Sequence, residues 1–83
     1  MDQRVSEVVE LLKELQDDST VPRNVKAKLQ GMQSTLEKEQ GELSLRISQV
    51  IAEVEDVAND INLPMFIRTQ IWNLTSMLES IDA

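Results

Sequence analysis

Cysteine and histidine are both absent from this 83-residue chain. Their absence excludes a disulfide, a thiolate or imidazole zinc site, and any catalyst built on a Cys or His nucleophile–base pair. Glycine is nearly as scarce. Gly31 and Gly41 stand alone, so there is no glycine-rich loop to cradle a phosphate or a dinucleotide. The aromatics are one Phe and one Trp, with no Tyr. No apolar run approaches the ~20 residues that a membrane span needs. Positive charge is also short, 8 Lys+Arg against 15 Asp+Glu, for a net charge of -7. A field of that sign repels phosphate backbones and anionic lipid, which disfavours nucleic acid and membrane as partners. Met1-Asp2-Gln3-Arg4 begins a polar amphipathic stretch, unlike a signal peptide, and the lack of cysteine suits a cytoplasmic protein.

What is present is helical periodicity. Val5, Val8, Val9, Leu12 and Leu15 recur at helical spacing, which predicts a helix over residues 3–16. Asp17-Asp18-Ser19-Thr20 interrupts it, and Pro22 opens a second helix with the stripe Val25, Leu29, Met32 and Leu36. Gly41 suits the next connection, and Ser44 is the expected N-cap of a third helix. That helix carries Ile47, Val50, Ile51, Val54, Val57 and Ala58. Asn59-Asp60-Ile61-Asn62 breaks it, and Pro64 opens a fourth with Ile67, Ile71, Leu74, Leu78 and Ile81. No segment alternates with period two, so the expected class is all-α, a single domain over residues 1–83. A chain of this length sits just above the ~70–80 residues below which a domain usually needs a metal, a disulfide or a partner subunit. With the first two excluded, a partner subunit is the remaining support.

The chain also repeats itself. Shifted by 42 residues, Arg4, Ser6, Val8, Asp18, Pro22, Ser34, Leu36 and Glu37 fall on Arg46, Ser48, Val50, Asp60, Pro64, Ser76, Leu78 and Glu79. Shared amphipathicity explains matched Val and Leu, but not matched Asp, Pro and Ser-x-Leu-Glu in one register. The pattern predicts two duplicated helical hairpins, residues 1–41 and 43–83, giving four antiparallel helices. Two-helix repeats of this length occur in HEAT-like solenoids. Two units have no neighbours but each other, so either a HEAT-like pair or a four-helix bundle is expected.

The two copies differ in a telling way. Arg23, Asn24 and Gln30 of the first unit become Met65, Phe66 and Trp72 of the second, and Lys+Arg falls from six to two. The surplus apolar residues either close the bundle against the first unit or form an interface with a second copy or another protein. Trp, Phe and Met are typical of interface cores, which makes Met65, Phe66 and Trp72 the interface candidates. Arg23, Lys26 and Lys28 at the start of the second helix are the candidate anion contact. Arg68, four residues before Trp72, is placed to stack on the indole as a structural clasp. Gly31 inside a helix suggests a close helix approach. The Asp17-Asp18 and Asn59-Asp60 turns lack the ligand density of a calcium loop, and the Glu-x-x-His pairs of a di-metal bundle are missing. No cofactor, metal or catalytic residue is expected.

Two stretches also carry a family likeness. Asp17-Asp18-Ser19-Thr20-Val21-Pro22-Arg23-Asn24-Val25 and Asn62-Leu63-Pro64-x-x-x-Arg68-Thr69-x-Ile71-Trp72-Asn73-x-x-Ser76-x-Leu78-Glu79 resemble the archaeal uncharacterised protein family UPF0147, short helical proteins of unknown function. The resemblance covers essentially the whole chain. It implies an all-α fold and an archaeal source, and it brings no catalytic residue or substrate. The expected function is a non-enzymatic helical interaction or adaptor domain, homodimeric or bound to another protein. The alternative is an accessory factor that contacts RNA or ribonucleoprotein through Arg23, Lys26 and Lys28.

Overall fold

The computed structural model describes residues 2–38 and 41–82. They form four helices and no strand: α1 (Gln3–Gln16), α2 (Arg23–Glu37), α3 (Leu43–Ala58) and α4 (Met65–Asp82). Met1 and Ala83, the outer bounds of the expected repeat units, lie outside the described residues. No helix among them is long and apolar enough to cross a membrane.

The helix starts carry local signals. Asp2 caps α1, its carboxylate accepting the Arg4 amide at 2.8 Å. This satisfies one of the four orphan donors of a helix start. Pro22 and Pro64 each stand immediately before the first residue of their helix, where a missing N–H costs nothing. Gly41 has φ +78°, a left-handed turn that a residue with a Cβ adopts only at a cost. It delivers the chain to α3 sooner than expected. The helix starts at Leu43 with Glu42 at its cap position, so Ser44 is its second residue and not its cap. The partly buried Leu43 packs against the core, and that contact favours the two extra helical residues.

The helices close a ring. α1 packs on α2, α2 on α3, α3 on α4 and α4 on α1, and the diagonal pairs make no close approach. One core fills the ring. Val5, Val8, Leu12, Val25, Leu29, Met32 and Leu36 meet Ile47, Val50, Val54, Val57, Ile67, Ile71, Leu74 and Leu78, each essentially inaccessible to water. These are the stripes that periodicity marks, and every buried position of the second half has its buried counterpart 42 residues earlier. Ile51, the counterpart of buried Val9, is only partly covered.

The α1–α2 and α3–α4 connections share three hydrogen bonds in the same register. Asp18 Oδ1 accepts the Thr20 amide at 2.8 Å, and Asp60 Oδ1 accepts the Asn62 amide at 2.9 Å. The Val21 and Leu63 amides donate to the Asp18 and Asp60 carbonyls, and the Lys26 and Arg68 amides to those of Pro22 and Pro64. The repeated Asp and Pro therefore hold one turn twice. Asp18 and Asp60 act within the connection, two residues on, rather than on the following helix.

Candidate interaction surface

The outer half of α4 differs from the rest of the surface. Its inward stripe is Ile67, Ile71, Leu74 and Leu78. An α-helix advances 100° per residue, so Thr69 and Ser76 point nearly opposite to that stripe. Met65 and Trp72, seven residues apart, share one line within about 20°. Met65 is 72% exposed, Phe66 54% and Trp72 55%, and Ile61 in the preceding connection is 88% exposed. These residues do not close the bundle, because the core is complete without them. Phe66 lies about 120° around the helix from Trp72. The three candidates therefore spread over the outer face, with Thr69 between them, and only Met65 and Trp72 stand in line.

The same stretch is nearly free of charge. Across residues 61–78 the one ionic side chain is Arg68, and it is turned away from the outer face. Arg68 Nη1 donates to the Ala58 carbonyl at 3.0 Å and Nη2 to the Asp60 carbonyl at 2.7 Å. It is a structural clasp that grips backbone at the end of α3. Arg46 does the same one connection earlier, donating to the Leu36 carbonyl at 3.0 Å. Sequence reading overlooked Arg46. The signal was there: neither α2 nor α3 has a basic residue in its own last turn, so their terminal carbonyls need a cation from elsewhere.

The other candidates disperse. Arg23 is exposed at the first position of α2. Lys26 lies near Asp18, whose carboxyl its charge helps to lower. Lys28 Nζ pairs with Asp56 at 3.1 Å across the α2–α3 boundary, both side chains well exposed. Arg23 and Lys28 are about 140° apart around the helix. The three cations thus face three directions and do not form one anion cradle. Lys28, Gly31, Ala52, Glu53 and Asp56 line an open groove of about 440 Å³. A Cβ on Gly31 would meet nothing within 4 Å. Gly31 therefore admits no close helix approach, because it sits off the Leu29–Met32 stripe and faces the groove.

Two carboxyls are held below their ordinary range. Asp2 is lowered first by the hydrogen bond from the Arg4 side chain, Asp18 first by that from the Thr20 hydroxyl at 2.6 Å. Among the described residues, no three carboxylates gather where they could share a metal ion.

The fold and surface define a small all-α protein whose described polar side chains cap helices and brace connections. The chain belongs to the uncharacterised protein family UPF0147, whose model matches residues 1–81. A UPF0147 protein of Archaeoglobus fulgidus is 44% identical over 77 residues, covering 93% of this chain and 87% of the relative. One from Methanosarcina mazei is 39% identical over 77 residues, 93% of this chain and 83% of that one. The crystal structure of a UPF0147 protein from Thermoplasma acidophilum superposes with a TM-score of 0.90 at 38% identity, covering 96% of this chain and 95% of the other. The resemblance seen in the two motifs is thus a family membership, and the four-helix fold is shared. The family's function is unknown.

Proposed function

We propose that this protein is a non-enzymatic interaction module that works by helix packing, and that it is a homodimer joined through the outer face of α4, with Met65, Phe66 and Trp72 in the contact. One observation carries the reading. Large apolar side chains stand exposed on a stretch, residues 61–78, whose single charge is spent inward on carbonyls. Exposed apolar surface concentrated in this way marks an association site more often than an idle face. Elsewhere the chain is strongly acidic, so the uncharged face is where two copies meet with least repulsion. The lack of Cys and His supports a non-catalytic role, and a cysteine-free chain suits the reducing cytoplasm. The two-unit organisation is read as a gene duplication, supported by the repeated hydrogen bonds of the two connections. The RNA-contact alternative has less support, because Arg23, Lys26 and Lys28 diverge and Lys28 is paired.

Sedimentation equilibrium tests the proposal. Wild type should pass from monomer to dimer with rising concentration, and Trp72→Ala should shift toward monomer. Added salt should strengthen the dimer by screening the acidic field, whereas a phosphate-based contact would weaken steeply. A wild-type monomer at all concentrations would overturn the homodimer.

A further inference from the structure

The α4 surface also specifies how two copies meet. We propose that they pair antiparallel along the seam Met65–Thr69–Trp72–Ser76, with Thr69 at the two-fold axis and Trp72 of each copy seated against the partner's Met65. The inference rests on the homodimer reading.

The four seam residues are spaced by four, three and four, which keeps them on one line of a helix as it packs along another. Thr69 lies four residues from Met65 and three from Trp72. A two-fold at Thr69 therefore brings Trp72 within about 1.5 Å, along the axis, of the partner's Met65, and does so twice, as an isologous contact requires. A thioether against an aromatic ring is a favourable pairing. Two polar residues on this face already have internal partners. Thr69 Oγ1 already donates to the Met65 carbonyl at 3.2 Å, and Asn73 Nδ2 to Gln70 Oε1 at 3.0 Å. Covering these two bonds costs less than covering free donors would. A small side chain at the crossing point also lets the helix axes come close.

Charge decides the direction. Glu79 lies seven residues beyond Trp72, on the same line. Parallel pairing would set it beside the partner's Glu79, a like-charge contact in a chain that already carries -7. Antiparallel pairing sends the two glutamates to opposite ends. The exposed seam of one helix is narrow, so the dimer should be reversible and concentration-dependent rather than obligate.

The chain contains no cysteine, so single-thiol variants report the register directly. Helices packed 8–10 Å apart bring Cα atoms at the crossing point to about 4–6 Å, within disulfide range. Residues 76 of the two chains would lie roughly 21 Å apart along the axis. Thr69→Cys should therefore give a disulfide-linked dimer on mild oxidation. Ser76→Cys should remain at the background set by Ser34→Cys, on the exposed face of α2. All three sites are exposed, and circular dichroism serves as the check that each variant folds. Equal cross-linking at 69 and 76 would mean parallel pairing and overturn the proposal. So would a wild type that sediments as a dimer while Thr69→Cys fails to cross-link. A wild-type monomer at high concentration would remove the homodimer itself.

Discussion

Arg68 reaches back ten residues to the Ala58 carbonyl, the last of α3, at 3.0 Å. Arg46 stands at the same fourth position of its helix and makes the same reach to Leu36 near the end of α2. A guanidinium from the next helix therefore caps the negative end of the previous one. It locks the connection and joins neighbours in a single contact.

Arg68→Ala should lower stability measurably. It removes two charge-assisted hydrogen bonds, one to the Ala58 carbonyl and one to the Asp60 carbonyl, which keeps only the Leu63 amide, a loss of about 1.5–3 kcal/mol. In a domain of this size each kcal/mol moves Tm by about 4–8 °C. Arg68→Lys should recover only part, because an ammonium cannot fork to two carbonyls in the same way. Thermal unfolding followed by circular dichroism reads both. An unchanged Tm for Arg68→Ala would show that the clasp is ornamental.

The two glycines should respond in opposite directions. Gly31 lies within α2, and a methyl group there meets only open space. Gly31→Ala should stabilise the chain by about 1 kcal/mol through helix propensity. Gly41 holds φ +78°, and Gly41→Ala should destabilise by about 1–2 kcal/mol. Urea titration of the two variants checks the pair.

Core and surface should separate cleanly. Leu36 is wholly buried, so Leu36→Ala should cost about 2–5 kcal/mol, a large share of what so small a domain possesses. Trp72→Ala should scarcely change the unfolding of the dilute monomer, because the core is complete without the indole. Equal losses in dilute solution would mean that Trp72 belongs to the core.

Asp18 predicts a pH response. The Thr20 hydroxyl and amide hold its carboxyl below the ordinary 3.8. A carboxyl depressed on folding contributes stability above its unfolded value, and that contribution fades as pH falls through the lower folded value. The group is exposed, so the effect on stability is slight, but its titration is readable. In Thr20→Val the Asp18 pKa should rise toward the ordinary value, as followed by carbon-detected NMR. A value that stays put would assign the shift to other neighbours.

Much of this was legible from residue order alone. Core positions obey the helical period, so Leu12, Leu29, Ile47 and Leu74 were visible as a buried stripe. The α1–α2 and α3–α4 connections were visible because Asp and Pro act locally. The misreadings share a cause. Ser44, Gly31 and the backbone grip of Arg68 each depended on which way a residue faces once neighbouring helices are in place. Leu43 gains burial by joining α3 early, so Ser44 loses its capping role. Arg68 reaches the Ala58 and Asp60 carbonyls, partners that no spacing rule singles out. The cations at 23, 26 and 28 are close in sequence, but the helix winds them apart.

Trp72 is the only indole and the chain has no tyrosine, which has a practical consequence. Indole emission from this protein samples the water at its outer face, since Trp72 is 55% exposed in the folded chain. Its core, made of aliphatic side chains and Met32, is optically silent. Spectral shifts should therefore track what touches α4, while loss of the fold itself must be followed through the backbone.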